Sequence, residues 1–525
     1  MATTVTRPAY WILSLTTSTT GVFNFKFVVD IYVDGVQQVR LKQPKNAAGS
    51  AHLSFENVVR NYTEVTQKHA NTIIGLIDYD SIHLMPQNQP EPAGVFNDYI
   101  ASKNNDSLKL VTFKFGEEYA LTSGGDITIT TGTASDLTTP IINNANEWED
   151  GLNFDTEELD FDDTNYRSSF LSTMPSTTTK PNDTSGLVPI ITSLSDYKTL
   201  AFLNESTTYF NTEDGRFVYK FYEEAPNVNQ DNYIGVIQPT NTSDRGSIRP
   251  SNVTTEEAML IYVGVGGANV NNIKYNFYGG FDPSLNANIK YYTFEYSDQS
   301  IFTPINTDAT DIIQGDRIEI LTVGTTDFTL IGAPDNNIGT VFYATGTGTG
   351  TGTSKRRLYN VLSKTHLFEI ASDTNCNNTR YRGWSLTWKN KYGTWDYYYF
   401  DGASSESISF KRDEKQQRVA GSWNAATFTQ DSFERGKVQS VTGAKKISVN
   451  TRYITDEWNV HFRGLLQSND VYLIMPVDAV DEKPKAQLIP INITDTSLKY
   501  KTNLKDKLVQ YTFNFEMAHN FKEFI

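Results

Sequence analysis

Catalysis needs groups that attack, titrate or ligate, and in this 525-residue chain such groups form few usable patterns. A thiol nucleophile would pair Cys376 with a distant histidine. As the single cysteine of the chain, at the edge of a strand-like segment, Cys376 reads instead as a small apolar filler. It also excludes an intrachain disulfide framework and a multi-cysteine metal site. The six histidines, His52, His69, His83, His366, His461 and His519, are scattered. They form neither HExxH nor HxH, so the local zinc signatures are missing. No GxSxG elbow occurs. Eight carboxylates crowd Glu149 to Asp163. Without the EF-hand ligand series they read as a solvated acidic loop. Glu149/Asp150 and Glu157/Glu158 are the first choices for a glycosidase pair, but such a pair is defined by separation in space. Gly264-Val265-Gly266-Gly267 follows a strand but matches neither phosphate-cradle pattern, and reads as a tight strand-to-strand turn. The expectation is a protein without enzymatic activity, cofactor or bound metal.

The densest cluster is aromatic. Trp384, Leu386 and Trp388 alternate with Ser385, Thr387 and Lys389, the period of two of a half-buried strand. Asn390 to Gly393 supplies a turn. The return strand, Trp395 to Phe400, places Trp395, Tyr397 and Tyr399 on one face and Tyr398 and Phe400 on the other. A strand apolar on both faces must be covered on both. Trp384, Trp388, Trp395, Tyr397, Tyr398, Tyr399 and Phe400 are therefore the candidate interface. One face is expected in the subunit's own core and the other against a neighbouring subunit. Flat rings of this kind also suit sugar stacking.

The surrounding elements are mainly β. Phe25 to Val33 alternates, Asp34-Gly35 marks a hairpin, and Val36 to Leu41 returns. Phe55, Val58, Val59 and Tyr62 recur at helical spacing. Strands are expected at 108–115, 127–131, 197–203, 216–222, 259–265, 273–278 and 289–296. Trp458, Phe462, Leu465 and Leu466 give one amphipathic helix from near Thr455 or Asp456 to near Ser468. Val509 to Met517 is a clean alternating strand. The fold class is mainly β, with several β-sandwich or β-barrel-like domains, a few short helices and a small inserted β-module. Residues 1–143 form an N-terminal β-domain. Residues 144–186 form an acidic loop and a Ser/Thr/Pro linker. Residues 187–310 begin a second β-domain. Residues 311–354 are an insert, with strands at Asp316–Ile320, Phe328–Ile331 and Thr340–Thr345, and its Gly346–Thr353 tail is a flexible return arm. Residues 355–525 form a C-terminal β-domain.

Charge is uneven. The net of −16 argues against nucleic acid or an anionic membrane as a partner. Residues 1–354 carry 20 basic and 42 acidic side chains, and residues 355–525 carry 25 and 19. No apolar run of about 18 residues is present, so no membrane insertion is expected. The N-terminus lacks the pattern of a secretory signal.

Three stretches resemble β-rich virion proteins of tailed bacteriophages. The first is FKFVVDIYVDGVQQVRLKQP followed by FENVVRNY; the second is DYKTLAFLN with WSLTWKNKYGTWDYYYF. The third is GLLQSNDVYLI, PINIT and a last strand ending in MAHNF. The last succession is similar in outline to tail-tip proteins of the distal-tail kind, and the 311–354 stretch looks like a small insert of phage structural proteins. The resemblance implies a component of the tail tip or baseplate, made in the host bacterial cytoplasm and located in the virion. It further implies a ring or other homo-oligomer in contact with tail, baseplate or fibre proteins. The alternatives are a tail fibre or adhesin module that binds host-surface glycan, and a virion-associated polysaccharide hydrolase.

Overall fold

The computed structural model describes residues 12–63, 101–142, 168–176, 188–204, 216–226, 233–237, 259–270, 289–312, 317–356, 363–371, 383–477, 485–498 and 509–524, apart from short gaps within several of these stretches. The protein is mainly β, with several sheets and few short helices, and among the described residues none of the sheets closes into a barrel. Cys376, the 273–278 strand and the acidic stretch 149–163 lie outside the described residues.

The N-terminal sheet is built on Phe23–Val33 and Leu108–Ala120, which pair along most of their length. Asp34 and Gly35 both take positive φ, 48° and 81°, the twist that a two-residue hairpin requires. Val29, Ile31 and Val33 pack with Val111, Phe113 and Ile141 on one face. The opposite face is ionic: Arg40 donates to both oxygens of Asp30 at 2.6 and 2.7 Å, and Glu118 sits between Lys26 and Lys42.

Two further sheets form a sandwich. One has the order Ala101–Lys103, Met259–Gly264, Thr199–Asn204, Ser168–Phe170. The other has the order Ile190–Thr192, His366–Ile370, Tyr291–Ser297, Arg216–Tyr222, Gly235–Ile237. Phe202 of the first meets Phe217 and Tyr296 of the second at 5.3 and 4.7 Å between ring centroids. Phe170 packs against Phe202 and Phe294. The first part of the expected linker is therefore a buried strand: Phe170, Leu171 and Met174 are all in the core.

The C-terminal sheet starts at Trp395–Phe400 and continues through Trp384–Lys389, Val471–Val477, Lys485–Ile493, Thr512–Met517 and Lys437–Asn450 to Ser404–Lys415. Phe521–Phe524 adds to the outer half of Lys437–Asn450. Its core is continuous with that of the sandwich, and one cluster runs from Leu108 to Phe515. The regions separated in sequence as 187–310 and 355–525 thus share a core.

The insert has its own core of Ala309, Ile312, Ile318, Ile320, Phe328 and Phe342 and is wider than expected. Its sheet begins at Ile305–Asp308 and ends at Thr353–Arg356. Phe328–Ile331 is a 3-10 turn rather than a strand, because the Asp327 side chain caps Thr329 N. The Gly-Thr tail is a packed edge and not a loose arm. A Cβ on Gly348, Gly350 or Gly352 would fall 2.6–2.7 Å from Ala309 O, Thr326 Oγ1 or Val323 O. The alternating threonines close the contact, with Thr351 Oγ1 against Thr325 and Thr353 Oγ1 against Thr322.

Candidate functional site

The aromatic hairpin lies inside the protein. Register puts Trp384, Leu386, Trp388, Asp396, Tyr398 and Phe400 on one face, and Trp395, Tyr397 and Tyr399 with Ser385 and Thr387 on the other. The helix Trp458–Gln467 covers the first face. Tyr398 meets Trp458 and Phe462 at 5.0 and 4.8 Å, Trp388 meets His461 at 4.7 Å, and Trp384 meets Phe515 at 6.4 Å. The second face lies on the sandwich, where Tyr397 Oη is 2.7 Å from Thr199 Oγ1. Trp395 packs on Tyr472. Tyr398 and Phe400 are 1% and 0% exposed in the single chain, which overturns the expectation that this face meets a neighbouring subunit. The two apolar faces arise because the hairpin is the middle layer of three in one chain. Only Tyr399 of the seven keeps partial exposure, and none of the buried rings can stack on a sugar.

The fold assembles a polar constellation at the hairpin edge that no local motif announced. Asp396, fully buried, accepts Ser172 Oγ at one oxygen and, at the other, Thr173 N at 3.1 Å and Thr173 Oγ1 at 2.5 Å. His461 Nδ1 lies 2.9 Å from Thr173 Oγ1 and 3.7 Å from Asp396, and its Nε2 lies 3.1 Å from Tyr397 O. A hydroxyl, a histidine and an aspartate in contact evoke a nucleophile relay. The connectivity is different. In a relay the acid holds one ring nitrogen and the hydroxyl meets the other. Here acid and hydroxyl share Nδ1, and Nε2 donates to a carbonyl. Burial holds His461 down to about 4, opposed by the Asp396 charge. The group acts as a latch for the 170–175 segment. Leu171 O accepts Asn390 Nδ2 at 3.0 Å and Thr394 Oγ1 at 2.6 Å, and Pro175 O meets His366 Nδ1 at 3.0 Å. The apolar residues Phe170, Leu171 and Met174, set in an otherwise polar stretch, were the sequence signal for this segment.

A second buried charge group joins the other face to the sandwich. Asp196 accepts Lys198 Nζ, Thr192 Oγ1 and Ser385 Oγ, and Lys198 Nζ also donates to Ile191 O at 2.7 Å. Burial pushes the Lys198 amine down and the Asp196 charge pushes it back up. The Gly264–Gly267 turn rests against this loop and leads into helix at Gly267, not into another strand. Its amides are already engaged: Val265 N and Gly266 N donate to Lys198 O, Gly267 N to Thr192 Oγ1 and Ala268 N to Asp196 O. The glycines serve backbone contact, since a Cβ at Gly267 would lie 2.2 Å from Ser193 O. A phosphate cradle would need those amides free.

Away from the hairpin, exposed apolar residues occur on the arm formed by Ser404–Lys415 and Lys437–Asn450, among other places. Pairing places Glu406, Ile408 and Phe410 on the face that carries Ile447 and Val449 into the core. Ser405, Ser407 and Ser409 line the other face. Past the body the apolar face is uncovered, leaving Ile408 56% and Phe410 57% exposed. The Ala420–Asn424 and Thr427–Ser432 hairpin follows, with Trp423 75% exposed beside Phe428, ring centroids 5.4 Å apart.

Among the described residues no cluster of three or more metal-ligating side chains is present, and no helix is long and apolar enough to cross a membrane. No family model, curated protein or solved structure matches the chain.

Proposed function

We propose that this protein is a structural subunit of a tailed-bacteriophage particle, in the tail tip or baseplate, which assembles as a ring or other homo-oligomer and joins the tail to neighbouring tail or fibre proteins. The virion assignment rests on the sequence resemblance. The assembly role rests on one observation: an arm whose core-side face continues past the body with Ile408 and Phe410 uncovered. A sheet patterned for burial on one face and left open there is a surface built for a partner. Residues 404–450 carry eight basic and five acidic side chains in a chain of net −16, so the arm is cationic, as is the 355–525 region to which it belongs. Light scattering of the intact chain at low and high salt tests the reading. A multimer whose population falls as salt rises is expected. A strict monomer at high protein concentration would refute self-assembly, and a salt-indifferent multimer would remove the electrostatic part.

A second reading, a glycan-binding fibre or adhesin module, is supported by the exposed Trp423–Phe428 pair rather than by the buried hairpin. Glycan-array binding lost in Trp423→Ala with the fold retained would favour it, and no binding by the native chain would remove it.

A further inference from the structure

Lys198 and Lys220 are both buried, and the fold treats them differently. Lys198 Nζ donates to the Asp196 carboxylate and to Ile191 O, the arrangement of a satisfied ammonium. Lys220 lies on Arg216–Tyr222 and faces away from the aromatic core, which Phe217, Tyr219 and Phe221 of the same strand enter. On the neighbouring strand Tyr291–Ser297, Glu295 stands opposite Val218, one diagonal step from Lys220. The two side chains are 1% and 0% exposed, and Lys220 Nζ lies 2.6 Å from Glu295 Oε1. At that distance Glu295 Oε1 nevertheless accepts no hydrogen bond from any described residue. The amine therefore touches the carboxyl group outside the hydrogen-bonding direction. The other oxygen is held: Thr365, also buried, donates its hydroxyl to Glu295 Oε2 at 3.0 Å. Val218, Thr293 and Leu367 occupy neighbouring positions on the same face and are buried as well.

We propose that Lys220 and Glu295 join covalently, through an amide between Nζ and Cδ that staples the two strands together. The two side chains supply every atom of the step. One proton passes from the Lys220 ammonium to Glu295 Oε1, leaving an amine and a carboxylic acid, the neutral forms that a site shielded from water favours over separate charges. The nitrogen lone pair then forms the N–Cδ bond while Thr365 donates to Oε2, where negative charge collects. A second nitrogen proton goes to Oε1, the Cδ–Oε1 bond breaks, and one water leaves. The third ammonium proton remains on the amide nitrogen, and Oε2 becomes the amide oxygen, still bonded to Thr365. Nothing is oxidised or reduced. Two effects favour the reaction: the groups are already held in contact, and a neutral amide replaces a buried charge pair. The Lys198–Asp196 pair stays ionic, because its aligned bonds to Asp196 and Ile191 O stabilise the ammonium form. The staple would close the chain between residues 220 and 295 and restrict its unfolded state as a disulfide does.

Mass spectrometry of the purified full chain, folded and then denatured, tests the bond. The native chain is expected to be lighter than its sequence by one water, and Lys220→Met, which lacks the amine, to show no such loss. Trypsin should leave the peptide bond after Lys220 uncut, because the side chain no longer carries a charge. The digest should then contain one branched peptide that holds both Lys220 and Glu295. The intact mass and the branched peptide are both read from the native chain, so the test stands even where the variant fails to fold. A native chain at the full mass of its sequence would overturn the proposal. A water loss that digestion places at other residues, with Lys220 and Glu295 recovered in separate unmodified peptides, would overturn it as well.

Discussion

Removal of the Asp396 carboxylate is expected to unlatch the 170–175 segment, and the cost can be worked from its partners. Asp396→Ala leaves the Ser172 hydroxyl, the Thr173 amide and the Thr173 hydroxyl without their acceptor. A buried donor without a partner costs about 1–3 kcal/mol. Ser172 and Thr173 are only partly buried, so water replaces some of the loss, and about 3–5 kcal/mol for the set is the expected size. That is a large part of the roughly 5–15 kcal/mol that stabilises a folded domain. Asp396→Asn keeps one acceptor oxygen but turns an NH2 group toward one of the donor sites, so about 1–3 kcal/mol is expected. Urea unfolding followed by tryptophan fluorescence provides the assay, because Trp388 and Trp395 flank the site. The midpoint should fall in the order native, Asn, Ala. Limited proteolysis should open first near residues 168–176 in the alanine variant. A midpoint within about 0.5 kcal/mol of native for Asp396→Ala would refute the latch, since ordinary surface changes lie in that range.

Acid should weaken the fold through two histidines. Burial holds His366 and His461 down to about 4, below the ordinary value of 6.5. As pH falls below about 6.5 the unfolded chain binds protons that the folded chain refuses, so stability drops until about pH 4. Each histidine should account for roughly 2 kcal/mol by pH 5. Denaturation midpoints at pH 7, 6 and 5 check this, and an unchanged acid slope in His366→Asn would contradict it. Gly267→Ala should destabilise by more than about 2 kcal/mol, because its methyl group would meet the Ser193 carbonyl at 2.2 Å. An equally stable variant in thermal melting would show that the 193–198 loop yields without cost.

The strands were the legible part of the fold. Period-two alternation located Phe23–Val33, Trp384–Lys389 and Thr512–Met517, and the Asp34-Gly35 hairpin and the Trp458–Gln467 helix also lie where their residue patterns put them. The covering of those strands was not legible. Trp395–Phe400 shows two apolar faces, but whether a neighbour or the same chain covers them depends on contacts far apart in sequence. Asp396 and Ser172 are 224 residues apart, and Tyr397 and Thr199 are 198 apart. The Ser/Thr-rich composition around Ser168 masked a strand and the segment after it, where the Ser172 and Thr173 hydroxyls bond to a carboxylate distant in sequence. The Gly-Thr repeat suggested freedom, yet Gly348, Gly350 and Gly352 lie where a neighbouring backbone or hydroxyl leaves no room for a Cβ. The exposure of Ile408 and Phe410 was hidden for the opposite reason: on an alternating strand, an outward and an inward apolar residue look alike until the layer beneath is known.

The arm is the proposed surface for self-assembly. Its most direct test is the light-scattering mass of the native chain beside that of Phe410→Asp, at the same concentration and low salt. A multimer is expected for the native chain, and the mass of one chain for the folded variant. A native chain with the mass of one chain, or a Phe410→Asp multimer of unchanged mass, would contradict it.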